Sequence, residues 1–347
     1  MAAWDFPLYY TAGQLEGSAL FDKQAQMDAQ HALWEREIRP LRPYHFSIYL
    51  KPAAYQAVLT PLSRLPFWTA YVLWAFVQVV AIGIGLWIVG RRCGFPPALW
   101  ILLPMSSFVA AVVVWGQDTG LVFLILATTW ELGERKRWLA AGMVIGLSLV
   151  KWNLFLLVGP ILLVQRRWRM LAGYGITAMA GAALTLLLSG REGIVAYLKL
   201  LQVQEADYLA VGMPSVRGLL LWFPVPEPLT NLVILSLLAF TLWHFRNSTW
   251  RTAFAVGITA CITLSYHTML YDLLFLLIPM LTRLSDEILQ SPYALVFLAF
   301  WAGPFSLPYP ILSILTICLA IAIYVSSTRE GYPAKLNSEK LARTQSP

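Results

Sequence analysis

Cysteine is scarce in this chain, and the common nucleotide-binding and hydrolase motifs are absent. The three cysteines, Cys93, Cys261 and Cys318, lie within or beside apolar segments and indicate no structural disulfide. No Cys/His pair has the spacing of metal ligands, and the sequence contains no P-loop, no G-x-G-x-x-G and no G-x-S-x-G. The sequence therefore gives no sign of a structural zinc, a P-loop nucleotidase, a dinucleotide-binding domain or an α/β-hydrolase.

Charged residues are also scarce, at 12% of the 347 residues, whereas hydrophobic residues make up 59%. Apolar runs of helix length fill residues 68–326, and the mean hydropathy is +0.64. Lysine and arginine cluster between these runs, at positions 91–92, 135–137, 166–169, 246, 251, 283 and 329. The positive-inside rule makes these clusters cytoplasmic, so the net charge of +7 reflects membrane orientation and indicates no nucleic-acid binding.

This pattern predicts an all-α, polytopic bundle of transmembrane helices. About eleven spans are expected, at residues 68–90, 97–114, 119–132, 138–150, 152–164, 170–189, 229–245, 251–266, 268–282, 292–305 and 309–326. Residues 1–67 and the loop 190–228 then lie outside the cell, and the polar tail 327–347 lies in the cytoplasm.

The apolar stretch 138–164 has basic clusters at both ends, so both ends should be cytoplasmic. It must therefore cross the membrane twice, as two short helices that turn at Lys151 on the outer side. A lone lysine in the middle of a single membrane helix would be unfavourable, whereas a turn that lines a wet cavity tolerates it.

The outer segments are expected to carry helices of their own. Residues 22–39 have a helical pattern, residues 53–59 are apolar enough to lie on the membrane, and residues 192–204 have the spacing of an interfacial amphipathic helix. The outward segment 1–67 shows no signal peptide, so either the first span exports it or an apolar helix is encoded upstream of Met1, and we favour the upstream helix.

In this topology, polar side chains from distant stretches of the chain meet at the outer face: Asp5, Gln117, Asp118, Lys151, His267 and Asp272. Ionisable residues gathered on one side of a membrane bundle indicate a site. Gln117 and Asp118 are more typical of a cap for the helix that starts near Gly120, since aspartate suits an N-cap. Asp272 lies one turn beyond His267 and either orients it or hydrogen-bonds nearby backbone.

A series of motifs occurs in an order found in one family of membrane enzymes. They are residues 5–13 (DFPLYYTAG), 60–66 (TPLSRLP) with Trp74, 115–117 (WGQ), 141–151 with 166–168 (RRW), 214–218 (PSVRG) and 265–272 (SYHTMLYD). Over about residues 4–283 the chain resembles glycosyltransferase family 87. Enzymes of this family belong to the GT-C class and are typified by mannosyltransferases that use polyprenol-phosphate-mannose.

The resemblance implies transfer of a hexose, mannose being typical, from a polyprenyl-phosphate donor to a hydroxyl of a lipid or glycan acceptor at the outer face. It implies a single inverting displacement with Asp5 as base. Donor-phosphate ligands would be Lys151, Arg217 and His267, with Gln117 and Asp272 in support. It implies no cofactor and no metal, and the sequence has no Asp-x-Asp pair to hold one.

Two other classes of function fit a polytopic chain with intramembrane polar residues. A transporter or lipid-linked sugar flippase would more often place charges near the bilayer midplane and show two similar halves. A non-enzymatic assembly subunit would not need Asp5.

Overall fold

The computed structural model describes residues 5–39, 44, 46–94, 106–201, 213–223, 225–284 and 309–329. These residues form helices and connecting segments with no strand among them, which confirms the predicted all-α class for this part of the chain. In chain order the α-helices are α1 Phe6–Ala12, α2 Lys23–Leu33, α3 Ala53–Ser63, α4 Phe67–Cys93, α5 Ser107–Trp115, α6 Thr119–Glu134, α7 Trp138–Gly146, α8 Trp152–Phe155, α9 Val158–Val164, α10 Trp168–Leu200, α11 Val216–Trp222, α12 Glu227–His244, α13 Trp250–Thr263, α14 Leu277–Leu284 and α15 Tyr309–Arg329.

Three helical stretches are long and apolar enough to cross a membrane: Phe67–Cys93, Trp138–Phe155 and Trp168–Leu200. They correspond to predicted spans that begin at residues 68, 138 and 170. The predicted spans 229–245 and 309–326 fall on α12 and α15, and other predicted spans fall on shorter helices. The span 292–305, residues 97–105 of the second span and residues 330–347 of the tail lie outside the described residues.

Helices α7 and α10 pack closely and run in the same direction. Gly142 of α7 lies against Met170 of α10, and Gly146, one turn further along α7, lies against Thr177, two turns further along α10. Contacts that advance together along both helices make them parallel. The helices can approach so closely because Gly142 and Gly173 have no Cβ. A Cβ at either position would overlap backbone atoms of the facing helix.

Because α7 and α10 are parallel, the chain between them must run back. The hydroxyl of Tyr174 donates to the carbonyl of Phe155 at 3.1 Å, and Gly159 packs against the same ring, so the return segment lies along α10. This confirms the reversal predicted near Lys151, although its form differs. A 3₁₀ segment, Leu147–Lys151, leads into the turn, and two short helices replace the predicted helix 152–164.

Helices α6 and α9 end in turns of the same type, each at a basic cluster. Lys136 and Arg166 adopt positive φ angles of 58° and 55°, and the N–H groups of Arg137 and Arg167 donate back to carbonyls of the last helical turn. This is a Schellman ending, in which glycine usually takes the left-handed position. A lysine and an arginine there introduce backbone strain.

The N-terminal segment packs against the first long helix, α4, through aromatic rings. These helices share an aromatic core, whose buried aromatic residues are Phe6, Tyr9, Tyr10, Phe21, Tyr49, Tyr55, Phe67 and Trp74. Helix α10 bends at Gly190, where φ is 67°, and its last part packs on the same core through Tyr197, whose ring lies 4.8 Å from that of Phe21. The predicted helices at 22–39 and 53–59 correspond to α2 with the π-helical segment Trp34–Ile38 and to α3. Of the predicted helix 192–204, residues 192–200 form the end of α10, and residues 202–204 lie outside the described residues.

Candidate active site

Asp5 lies where the start of α1 meets the turn that follows α5. Its backbone N–H donates to the carbonyl of Trp115 at 2.8 Å. Gly116, the next residue, has a φ of 67°, and a Cβ there would come within 2.5 Å of the Cβ of Phe6. Glycine is therefore required at 116 for both the left-handed conformation and the close approach of α1.

The carboxylate of Asp5 is oriented by a buried glutamine. Asp5 makes no capping bond to α1, and its Oδ2 instead accepts a hydrogen bond from Nε2 of Gln117. The hydroxyl of Tyr9 donates to Oε1 of Gln117 at 3.0 Å, which fixes the orientation of the amide. Asp5, Gln117 and Tyr9 thus form one connected group.

Lys51 follows an extended segment that two glutamines hold against α2. Gln26 accepts from the backbone N–H of Tyr49 at 2.7 Å, and Gln30 donates to the carbonyl of Ser47 at 2.8 Å. Because Gln26 and Gln30 are one helical turn apart, they bind the segment at successive points along one face of α2.

The residue just before Lys51 is anchored as well. The carbonyl of Leu50 accepts hydrogen bonds from the indole of Trp152 and the hydroxyl of Tyr197, both at 3.1 Å. Contacts to three elements, α2, α8 and α10, therefore position the backbone that carries Lys51.

Four charged side chains alternate in sign across the base of the site. Lys51 pairs with Oδ2 of Asp118, whose Oδ1 lies 3.4 Å from Nζ of Lys151. Lys151 also pairs with Asp272 at 2.7 Å and donates to the hydroxyl of Thr119 at 3.2 Å. The two lysines and two aspartates balance each other's charge, as buried ions require.

Aromatic rings surround both lysines. Nζ of Lys51 lies 5.1 Å and 5.0 Å from the ring centres of Tyr9 and Tyr55, and Nζ of Lys151 lies 4.8 Å from that of Tyr271. Cation–π contacts of this kind stabilise partly desolvated ammonium groups. Tyr9 contacts both Lys51 and Gln117, so it joins the charged network to Asp5.

Within the site, Asp5 and Lys51 are partly exposed, whereas Asp118, Lys151 and Asp272 are buried. Desolvation raises the pKa of Asp5 to about 7, although Lys151 and Lys51 oppose the rise. Desolvation also lowers the pKa of Lys51, and Asp118 opposes that change. A carboxyl group with a pKa near neutrality is suited to general base catalysis.

Arg217 and His267 form a neighbouring group. The guanidinium of Arg217 stacks 3.7 Å above the ring of Tyr266, donates to its hydroxyl at 2.9 Å and lies 3.7 Å from the carboxylate of Glu227. The carbonyl of His267 accepts from Asn153 at 2.8 Å, which ties this group to the turn that carries Lys151.

The structure brings four of the predicted residues into one connected network: Asp5, Gln117, Lys151 and Asp272. Gln117 and Asp118 were assigned to a cap, and this prediction is wrong, because the amide of Gln117 bonds to Asp5 and the side chain of Asp118 makes no capping bond and pairs with the lysines. Asp272 does hydrogen-bond nearby backbone, since it accepts from the N–H of Met269 at 3.0 Å. Sequence reasoning missed Lys51, and the available signal was a lysine just before the apolar segment 53–59.

Residues 49–270, more than half of the chain, match the sequence profile of glycosyltransferase family 87. The chain belongs to this family. None of the curated proteins and none of the solved structures compared with the chain matches it. Family membership and the apolar helices make this protein a membrane glycosyltransferase, an enzyme that uses a sugar donor and an acceptor.

The match is narrower than the resemblance seen in the motifs. It includes most of the network and of the neighbouring group, namely Lys51, Gln117, Asp118, Lys151, Arg217 and His267. Asp5 precedes it and Asp272 follows it by two residues. Asp5 therefore enters the site through its contacts with Trp115 and Gln117, both inside the family region.

Proposed function

We propose that this glycosyltransferase moves a hexose, mannose being the expected sugar, from a polyprenyl-phosphate donor to a hydroxyl of a lipid or glycan acceptor. The reaction takes place at the extracytoplasmic face of a bacterial plasma membrane. The observation that supports it best is the carboxylate of Asp5, which is partly exposed, fixed by Gln117 and joined through Tyr9 to the network of Lys51 and the buried Lys151.

Asp5 acts as the base in a single displacement. It accepts the proton of the acceptor hydroxyl as the acceptor oxygen attacks the anomeric carbon of the sugar. The bond from this carbon to the phosphate oxygen breaks, and its electron pair leaves with the polyprenyl phosphate. Attack opposite the leaving group inverts the anomeric configuration. Gln117 supports the step by holding the carboxylate in one orientation.

The leaving phosphate gains negative charge and needs positive groups or hydrogen-bond donors. Lys151, Arg217 and His267 supply them in this proposal. Lys151 contributes its charge from behind Asp118, and Asp272 keeps it in place. Arg217 and His267 serve from the neighbouring group, which Asn153 connects to the turn beside Lys151.

A lipid-linked donor also suits the surface of α10. The side chains of Met179, Leu186 and Leu187 are well exposed, as expected for residues that face lipid. Beyond the bend at Gly190 the helix packs on the core that carries Asp5. A polyprenyl chain in the membrane therefore has a route to the site along this helix.

The test is transfer of labelled mannose from a polyprenyl-phosphate donor in membranes, with expression matched. Asp5→Asn keeps the shape of the side chain but removes the base, so turnover should fall about a hundredfold or more. Asp28→Asn changes an exposed carboxylate of the same segment, and Arg36→Ala removes an exposed charge, so both should retain full activity. Full activity in Asp5→Asn would remove the base from the proposal.

Normal transfer in Asp5→Asn, Lys151→Ala and His267→Ala would contradict the proposed site and show that the catalytic groups of this glycosyltransferase lie elsewhere.

A further inference from the structure

Access distinguishes the two lysines of the network. The side chain of Lys51 is 14% exposed, whereas those of Lys151 and Asp118 are 7% and 0% exposed. Part of the Lys51 side chain is therefore accessible from outside the protein, and a larger part than of Lys151. Lys151 lies on the far side of Asp118 from Lys51, because Asp118 presents one carboxylate oxygen to each lysine.

The two ammonium groups also differ in how many of their hydrogen-bond donors the protein already uses. Each ammonium has three N–H donors. Lys151 faces three oxygen-bearing partners, Asp272, Thr119 and Asp118. Within the described residues, Asp118 is the one carboxylate within ion-pair distance of Lys51, and the rings of Tyr9 and Tyr55 also lie near its ammonium. Lys51 therefore has donors to offer to an incoming oxyanion.

Lys51 is also connected to Asp5, the proposed base, through Tyr9 and Gln117. The ring of Tyr9 lies 5.1 Å from Nζ of Lys51, and its hydroxyl bonds to Gln117, which holds Asp5. One tyrosine thus separates the partly exposed cation from the partly exposed carboxylate. A substrate between them could present a phosphate to Lys51 and an anomeric carbon to the acceptor beside Asp5.

From this arrangement we propose that Lys51 binds the phosphate of the lipid-linked donor directly, with Asp118 as the residue that positions its ammonium. This inference rests on the proposed function and refines it: Lys151 acts behind Asp118, and Lys51 makes the contact. The ligand class is a prenyl phosphate, whose oxyanion forms charge-assisted hydrogen bonds with an ammonium.

The test measures binding of farnesyl monophosphate to the purified full-length chain in detergent, with farnesol as the uncharged control. Lys51→Met should weaken binding of farnesyl phosphate at least about tenfold and leave binding of farnesol unchanged. Lys51→Arg keeps a cation and should retain most of the affinity. Lys23→Met, which removes an exposed lysine at the start of α2, should leave both affinities unchanged.

Lys51→Met leaves one uncompensated aspartate in the network and therefore risks misfolding. The double variant Lys51→Met/Asp118→Asn avoids this, because Lys151 and Asp272 remain as a balanced pair. It should unfold at a temperature close to that of the wild type and still fail to bind farnesyl phosphate tightly. Wild-type affinity in this folded double variant would overturn the proposal.

A second measurement uses the unaltered protein. Saturating farnesyl phosphate should slow the modification of Lys51 by an amine-reactive reagent, located by mass spectrometry, and should not slow that of Lys23. Equal rates at Lys51 with and without farnesyl phosphate would overturn the proposal even if every variant failed to fold.

These results separate the proposal from the function on which it rests. Sugar transfer that requires Asp5, together with undiminished phosphate binding by the double variant, would refute the role of Lys51 alone. A wild-type protein that binds no farnesyl phosphate and transfers no sugar would refute both.

Discussion

The pH dependence of sugar transfer should show an acid limb near neutrality that belongs to Asp5. Desolvation raises the pKa of this carboxyl to about 7, and only its ionised form can accept a proton from the acceptor. A carboxyl group with this pKa is about nine-tenths ionised at pH 8 and about one-tenth ionised at pH 6, so kcat/KM should fall roughly tenfold between them. Activity should therefore rise with pH and level off above about pH 8.

Replacing Gln117 should shift this acid limb while the base itself stays an aspartate. Its amide donates to the carboxylate and so favours the charged form. Gln117→Leu should raise the pKa of Asp5 further and move the acid limb to higher pH. Gln24→Leu changes an exposed glutamine that contacts Asp28 and should leave the limb in place.

The assay is kcat/KM for a polyprenyl-phosphate sugar in detergent from pH 5.5 to 8.5, with each variant checked for folding at every pH. An acid limb near pH 4, as for an ordinary aspartate, would contradict the argument that desolvation sets the pKa of this base. A Gln117→Leu profile identical to that of the wild type would contradict the role of the amide.

Three further predictions concern stability, measured by thermal unfolding in detergent. Folding raises the pKa of Asp5, so the wild type should lose stability as pH rises from about 4 to about 7. Asp5→Asn should therefore be more stable than the wild type at pH 8 and equal to it below pH 4. Equal stability of the two proteins at pH 8 would contradict this prediction. Gly173→Ala should destabilise the protein by about 1–3 kcal/mol, because its Cβ would overlap the carbonyl oxygen of Leu139. The control Gly175→Ala, on the same helix, meets open space and should be neutral or slightly stabilising. Equal effects of the two substitutions would argue against the close helix contact. Arg166→Gly should stabilise the protein by about 1 kcal/mol by relieving the positive φ angle, and a loss of stability would show that the arginine side chain matters more than the strain.

The pattern of charge along the chain predicted the reversal at Lys151, because flanking basic clusters constrain topology regardless of tertiary contacts. The partners of Lys151 could not be predicted in the same way. Asp118 sits at the start of α6, where a local rule favours capping, and a tertiary ion pair with Lys51 and Lys151 overrides that rule.

Lys51 could not be assigned because its position depends on contacts that no local pattern shows. Its backbone is set by Gln26 on α2 and by Trp152 and Tyr197 from later helices. The predicted topology put Asp5 on the same side as Gln117, but their contact depends on the close approach of α1 to the turn after α5.

The most direct test is a cryo-EM map of the Asp5→Asn variant bound to a polyprenyl-phosphate hexose, since this variant should bind the donor without consuming it. We expect the anomeric carbon beside residue 5 and a phosphate oxygen within about 3 Å of Nζ of Lys51. A sugar phosphate bound elsewhere, for example at the basic cluster 135–137, would contradict the proposed site.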